Sequence, residues 1–129
     1  MRSVNELIEI HDPGIAHIRE WVENAVNECF LLPPSEQRGD VLLETQVTTR
    51  SPMGAIAYET GGILIDGGWL RFLGSGHARI SRTLPGWNKG RSQGYYLVAD
   101  DAAGGFFAIN GGAFGEDVKK MYYWAPDSL

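Results

Sequence analysis

The chain has 129 residues and a formal net charge of −5 at pH 7, and its length is typical of a single domain. Its composition, 43% hydrophobic and 21% charged residues, is that of a globular protein and excludes extensive disorder. No segment approaches the roughly 20 apolar residues that a membrane helix requires, and the N-terminus has no signal-peptide core. The sequence therefore predicts one domain, residues 1–129, that is cytoplasmic and does not contact a membrane.

Helical signals dominate the first half of the chain. Ser3 with Glu6 has the spacing of a capping box and predicts a short helix to about Ile10. Asp12-Pro13 supplies a cap and a first-turn proline for a second helix. The apolar residues of that helix recur at helical spacing as far as Cys29.

Two further helices are predicted before the glycine-rich half begins. Ser35 caps a third helix that runs to about Gln46. Ser51-Pro52 is the cap and first turn of a fourth helix, which runs to Thr60. Gly61 then follows at a position where a helix often ends in a left-handed residue.

The second half of the chain predicts strands and turns. Residues 63–65 and 69–73 are apolar runs on either side of Asp66-Gly67-Gly68, which are turn residues, so a β-hairpin is expected. Residues 78–84 alternate weakly and predict a further strand, and residues 85–94 predict a polar loop.

A second hairpin and a last strand complete the prediction. Residues 95–99 and 106–109 form the hairpin, and residues 121–124 form the last strand. The expected fold class is α+β, with N-terminal helices packed on a mostly antiparallel β-meander. Pro126-Asp127-Ser128 resembles the start of another helix, so the chain either ends in a short tail or is truncated at its C-terminus. A sheet that lacked this helix would expose an apolar face and favour a homodimer.

Common catalytic and metal-binding motifs are missing from the sequence. It has no phosphate-binding loop, zinc-protease motif or nucleophile elbow. Gly74-Ser75-Gly76 begins like a dinucleotide fingerprint, but Arg79 stands where the third glycine belongs. Cys29 is the one cysteine, too few for a disulfide, and its predicted helical position favours a buried apolar role. No cofactor or metal is expected.

A small hydrolase is one alternative function. It would use turn carboxylates such as Asp66 and Asp100 together with Ser75 or His77. Turn chemistry already accounts for aspartates at these places, because their side chains bond nearby backbone amides. The test is whether these side chains converge in a concave pocket with perturbed pKa values.

Aromatic and basic side chains interleave in the second half, a composition typical of binding surfaces. Residues 67–99 contain five bases and no acid, whereas residues 1–60 contain ten acids and four bases. Alternation on a half-buried strand produces the same pattern without a ligand. The candidate binding residues are Trp69, Arg71, His77, Arg79, Arg82, Trp87, Lys89, Arg91 and Tyr95. A positive face would select an acidic partner, and nucleic acid is disfavoured by the pI of about 5.1.

Several motifs resemble a bacterial family known as a domain of unknown function. They are Gln46-Val47-Thr48-Thr49-Arg50-Ser51-Pro52-Met53-Gly54-Ala55, Thr60-Gly61-Gly62-Ile63-Leu64-Ile65-Asp66, Gly68-Trp69-Leu70-Arg71, Gly74-Ser75-Gly76, Ala108-Ile109-Asn110-Gly111-Gly112 and Tyr122-Tyr123-Trp124-Ala125-Pro126-Asp127. The resemblance covers most of the chain and implies no activity. It does imply a longer protein with more helical sequence.

A more distant similarity is to the SUKH superfamily of α+β proteins, many of which act as immunity proteins that neutralise toxins by direct binding. It lies in the helical N-terminal part, the glycine-marked hairpin over residues 61–73 and the late strand pair over residues 106–124. The leading hypothesis is therefore a non-enzymatic protein-binding module, immunity-like in role. The alternatives are the hydrolase and a structural subunit of a homo-oligomer.

Overall fold

The computed structural model describes residues 1–11, 13–80, 82–89, 94–110 and 120–124. The helices are α1 (Val4–Leu7), α2 (Gly14–Asn24), α3 (Arg38–Thr45), α4 (Pro52–Glu59) and α5 (Leu84–Asn88). The strands are β1 (Cys29–Leu32), β2 (Gly62–Ile65), β3 (Leu70–Leu73), β4 (Tyr95–Asp101), β5 (Phe106–Asn110) and β6 (Met121–Trp124). A single 3₁₀ turn, Asp66–Gly68, joins β2 to β3.

The six strands form one antiparallel sheet in the order β1-β2-β3-β4-β5-β6. Each strand therefore pairs with its neighbours in the chain, which is the arrangement of a meander. The predicted α+β class, with N-terminal helices on a mostly antiparallel meander, is confirmed. β1 is an additional strand that the sequence pattern did not predict.

The strand register defines two rows of side chains on opposite faces of the sheet. One row consists of Phe30, Leu64, Arg71, Asp100 and Phe106. The next row consists of Leu31, Ile63, Phe72, Ala99, Phe107 and Tyr123. Because adjacent residues of a strand point to opposite faces, we call these the Arg71 face and the Phe72 face.

Helices pack on the sheet in two clusters. In the larger cluster, Val41 of α3 and Leu84 and Trp87 of α5 are buried with Leu64 and Leu73. In the smaller cluster, Ile18 of α2 and Ala55 of α4 are buried against Ile63, with Phe72 packed beside them. Burial of this apolar surface is the main favourable contribution to folding.

The caps of α1 and α4 agree with the sequence. The Ser3 amide donates to Glu6 Oε1 at 3.0 Å, and the Glu6 amide donates to Ser3 Oγ at 3.4 Å. The bonds from Ser3 lower the pKa of the Glu6 carboxyl. Ser51 Oγ accepts from the Gly54 amide at 3.0 Å, and Pro52 occupies the first turn of α4. The α1 helix ends at Leu7, earlier than predicted.

The prediction for the second helix is wrong at its C-terminal end. The α2 helix ends at Asn24, where Ala25 turns to an extended conformation. Cys29 lies instead at the start of β1, paired with Ile65 of β2. Strand pairing with a distant segment overrides the local helical spacing. Pro13 precedes the first turn, and the predicted cap Asp12 lies outside the described residues.

Two other predicted boundaries are corrected. The α3 helix begins at Arg38, because Ser35 Oγ donates to the Ser75 carbonyl and accepts from the Gln37 amide. Gly61 is not the left-handed end of α4. A Cβ at Gly61 would lie 2.5 Å from the Pro33 carbonyl oxygen, so close packing of two backbones explains the glycine.

The described residues of the segment 78–84 do not form the predicted strand. His77 and Ile80 make one isolated bridge, and Ser81 is outside the described residues. The α5 helix occupies the start of the predicted loop, with Thr83 Oγ1 accepting from the Gly86 amide. A threonine cap followed by a proline in the first turn favours this helix.

Candidate functional site

Two arginines converge on one aspartate on the Arg71 face. Arg71 donates from Nε to Asp100 Oδ1 at 2.9 Å and from Nη2 to Asp100 Oδ2 at 2.8 Å. Arg82, in the segment before α5, donates from Nη2 to the same Oδ2 atom. The β3–β4 register places Arg71 directly opposite Asp100, so the paired strands hold the two-bond geometry in place.

The indole of Trp87 supports the second arginine. The Arg82 guanidinium carbon lies 4.5 Å from the centroid of the Trp87 ring, a cation–π contact. The Trp87 ring also meets Phe106 edge-on, at a centroid distance of 6.4 Å. Asn88 donates to the Leu97 carbonyl at 2.8 Å and accepts from the Leu97 amide at 2.6 Å, which ties α5 to β4. We call Arg71, Arg82, Trp87 and Asp100 the arginine cluster.

The arginine cluster has a buried anion and partly exposed cations. The Asp100 side chain is 12% exposed, whereas those of Arg71 and Arg82 are 33% and 37% exposed. Two guanidinium charges against one carboxylate leave a net charge of +1. Each guanidinium has five N–H donors, and Asp100 uses only part of them. The cluster therefore presents positive charge and hydrogen-bond donors to an approaching acceptor.

The other candidate binding residues in the described part of the chain lie outside this cluster. Trp69 lies in the β2–β3 turn and is 58% exposed, and Lys89 is exposed directly after α5. His77 and Arg79 belong to the bridge turn, where the Arg79 amide donates to His77 Nδ1 at 3.1 Å. Of the last two candidates, Tyr95 is the first residue of β4, and Arg91 lies outside the described residues. Thus the structure brings together only Arg71, Arg82 and Trp87, and Trp87 is largely buried.

The side chains proposed for a hydrolase have separate structural partners. Ser75 is buried, and its hydroxyl donates to the Thr60 carbonyl at 2.9 Å and accepts from the Ser35 amide at 2.9 Å. Asp66 accepts from the Asn27 side chain at 2.8 Å, and Asp100 is held by arginines. Within the described residues, no hydrogen bond joins any two of Asp66, Ser75, His77 and Asp100.

A second feature, which the sequence analysis missed, is an apolar groove on the Phe72 face. Its volume is about 310 Å³. All of its lining side chains are apolar, among them Ile18, Trp21 and Val22 of α2, Pro52 and Ile56 of α4, and Ile63 and Phe72 of the sheet. Trp21 is 58% exposed at its rim. The signal in the sequence was Trp21, a large aromatic residue beside the apolar positions Ile18 and Val22 of α2, which the sequence analysis did not single out.

Asp101 and Tyr123 form a small polar contact beside the sheet. The Tyr123 hydroxyl donates to Asp101 Oδ2 at 2.6 Å, and the amides of Gly105 and Ala103 donate to Oδ1. These bonds, the Tyr123 bond first, hold the pKa of the Asp101 carboxyl below its ordinary value. These hydrogen bonds close the β4–β5 turn, which is a structural role.

Metal-binding clusters and membrane-spanning helices are absent from the described residues. No group of three or more histidine, cysteine, aspartate or glutamate side chains is placed to hold a metal ion there. In the same part of the chain, no helix has the length and apolar character needed to span a bilayer.

Comparison with known proteins places the chain among uncharacterized relatives. A family model described as "Protein of unknown function DUF2625" matches residues 4–129. The chain is 44% identical over 133 residues to YbfG, an uncharacterized protein of Escherichia coli (strain K12), in a match covering 100% of this chain and 62% of YbfG. It is 40% identical over 137 residues to an uncharacterized protein of Haemophilus influenzae (strain ATCC 51907 / DSM 11121 / KW20 / Rd), covering 100% of this chain and 60% of that protein.

The chain spans about three fifths of the length of each of these two relatives. No solved structure matches it.

Proposed function

Because the chain belongs to the DUF2625 family of proteins of unknown function, we propose a role from its own geometry: it is a non-enzymatic protein-binding module. The observation that carries this proposal is the arginine cluster. It holds two partly exposed guanidinium groups in fixed positions on a sheet. Rigid cations beside an aromatic ring are typical of the residues that anchor protein interfaces.

The partner surface that fits the cluster is acidic. Arg71 and Arg82 already share one carboxylate, Asp100, and their remaining donors match the geometry of a second carboxylate. A partner carboxylate would balance the local charge of +1 without displacing Asp100. We therefore assign an aspartate or glutamate side chain of the partner to this position.

The two alternative functions have different support. The hydrolase hypothesis receives none from the described side chains, because Ser75 and Asp100 are engaged in structural bonds. A structural subunit of a homo-oligomer is the second candidate, and the apolar groove favours it, because exposed apolar surface promotes association.

An immunity-like role is a special case of protein binding. It would require an acidic surface on the toxin that meets the arginine cluster. The single cysteine, Cys29, is free, which suits a reducing compartment. A cytoplasmic location is therefore part of this proposal.

The proposal is tested with two single variants of equal charge. Arg82→Gln removes a cluster cation, whereas Arg79→Gln removes an exposed cation of the bridge turn. The probe is a hexaglutamate peptide. Its binding is monitored through the NMR signals of the arginine Nε–H groups. We expect the peptide to shift the Arg71 and Arg82 signals, and Arg82→Gln to weaken binding about fivefold or more, while Arg79→Gln has little effect.

The same variants are then used to capture partners from a lysate of the host. A protein retained by the parent chain and by Arg79→Gln, but lost with Arg82→Gln, supports the proposal. Equal effects of the two variants on the peptide would show nonspecific charge attraction and overturn the assigned site. An absence of peptide-induced shifts at low salt would overturn it as well, since electrostatic binding is strongest there.

A further inference from the structure

The apolar groove extends beyond α2 along the Phe72 face. A second hollow of about 130 Å³ continues it and shares Pro52, Ile56 and Phe72 as lining residues. The second hollow reaches Ile109 of β5 and Met121 of β6, and its lining is again entirely apolar. The two hollows lie on either side of these shared residues and reach from α2 to the last strand, and we call the pair the extended groove.

The described helices cover only part of the Phe72 face. The α2 and α4 helices pack over β1, β2 and β3 through Ile18 and Ala55. In the described residues, the helix backbones stay at a distance from β5 and β6, and Trp87 of α5 meets Phe106 of β5 on the Arg71 face. Met121 and Tyr123 on this side are 50% and 46% exposed.

An apolar surface of this kind is unfavourable in water. Trp21, at one end of the extended groove, is 58% exposed, and Met121, at the other end, is 50% exposed. Burying large apolar side chains such as these favours the covered state. A sheet face with an apolar row normally carries a second layer of structure across its whole width. The groove therefore has the properties of a surface that another segment covers.

The length of the relatives provides a candidate for the covering segment. About two fifths of YbfG and of the Haemophilus influenzae protein lies outside the match to this chain. We propose that the extended groove is the docking site for that additional part of the longer family members, which lays an apolar face over Trp21, Phe72 and Met121. Its occupant in those relatives belongs to the same polypeptide.

Two physical arguments favour this occupant. The lining has no charged side chain, and its side-chain hydrogen-bond donors are confined to the Trp21 indole and the Cys29 thiol at one end, so it favours a segment with an apolar face. A segment joined to the domain also has a high effective concentration, in the millimolar range for short flexible connections, so that modest apolar contacts suffice to keep it docked.

This inference goes beyond the proposed function, because it concerns a different surface. None of the four residues of the arginine cluster lines either hollow of the extended groove. A segment docked in the groove leaves Arg71 and Arg82 accessible. Failure of one proposal therefore leaves the other intact.

The test compares this chain with full-length YbfG, using the dye 1-anilinonaphthalene-8-sulfonate as the probe of exposed apolar surface. We expect the dye to fluoresce strongly with the 129-residue chain and about fivefold less, per molecule, with YbfG, whose additional segment covers the groove. Circular dichroism checks that both proteins are folded. In YbfG, amides matching α2 and β6 should also exchange with solvent more slowly than in this chain.

Two variants of this chain test whether the dye binds in the groove. Trp21→Ala removes a rim residue of the groove, whereas Val26→Ala removes exposed apolar surface outside it. We expect the first to reduce the fluorescence severalfold and the second to leave it unchanged. Fluorescence of YbfG equal to that of this chain overturns the proposal, as does a failure of this chain to bind the dye. Sedimentation showing that two copies of this chain cover the groove in a dimer also overturns it, in favour of a homo-oligomer.

Discussion

Asp100 accepts hydrogen bonds from Arg71 at both of its carboxylate oxygens, across two strands that are paired in register. Arg82 adds a third bond to the same carboxylate from outside the sheet. The aspartate therefore joins β3, β4 and the segment before α5. Its charge also keeps two guanidinium groups close together that would otherwise repel each other.

Removing the charge of Asp100 should weaken the fold. Asp100→Asn keeps the size of the side chain but leaves Arg71 and Arg82 without a balancing anion. Because both arginines are about one third exposed, solvent screening reduces the cost, and we expect a loss of about 2 kcal/mol in the free energy of unfolding. Denaturation in urea measures it. Asp40→Asn, at an exposed position in α3, is the control, and an equal loss in both variants would contradict the prediction.

Two glycines in helices should respond to alanine in opposite directions. A Cβ at Gly54 would lie 2.0 Å from the Thr48 carbonyl oxygen, whereas a Cβ at Gly39 would meet nothing within 4 Å. Gly54→Ala should therefore destabilise the protein by about 3 kcal/mol through backbone displacement. Gly39→Ala should stabilise it by about 0.5–1 kcal/mol through helix propensity. Thermal unfolding measures the change in melting temperature of each variant. Melting temperatures that shift in the same direction would be inconsistent with this packing.

The acidity of Asp101 should depend on Tyr123. Tyr123→Phe removes the bond that contributes most to lowering the pKa of the Asp101 carboxyl, so this pKa should rise toward its ordinary value. Titration of the side-chain carboxyl carbon by NMR measures the change. Tyr122→Phe, one position away and on the opposite face, is the control, and an unchanged Asp101 midpoint in Tyr123→Phe would disprove the assignment.

The sign of the pH effect follows from the lowered pKa. Since Asp101 has a lower pKa in the folded than in the unfolded chain, its stabilising effect is fully present above the unfolded value. The stabilisation is lost as the pH falls through the folded value. Gly105→Ala should produce a related effect, because its Cβ would lie 2.1 Å from the Tyr123 hydroxyl oxygen and push that side chain away.

Ser75 should contribute to stability rather than to chemistry. Ser75→Ala removes a hydroxyl that accepts from the Ser35 amide and donates to the Thr60 carbonyl in a buried site. An unsatisfied buried donor costs about 1–3 kcal/mol, so the variant should unfold at a lower urea concentration. Its affinity for the acidic peptide should not change. A variant of undiminished stability would reopen the hydrolase hypothesis.

Local signals in the sequence predicted the elements that depend on short-range chemistry. The capping box of Ser3 and Glu6 forms as expected. The turn residues Asp66–Gly68 join two paired strands, with Gly67 and Gly68 at positive φ values. In each case the residues that determine the structure are neighbours in the chain, so their spacing alone contains the information.

Features that depend on distant contacts were outside the reach of pattern analysis. Cys29 continues the apolar spacing of α2, yet its backbone pairs with Ile65, more than thirty residues away. Arg71 was identified as a candidate binding residue, but its partner Asp100 follows from the β3–β4 register. The groove likewise requires α2, α4 and the sheet to meet, and Trp21 alone does not indicate it.

The strand order also determines how the sheet assembles. The β2–β3 and β4–β5 hairpins join residues that are close in the chain, and short loops close at little entropic cost. In contrast, β1 is separated from β2 by both α3 and α4. Contacts of larger sequence separation slow folding, so we expect the two hairpins to form early and β1 to join the sheet last. The edge that carries Cys29 would then be the slowest part of the protein to reach its native pairing.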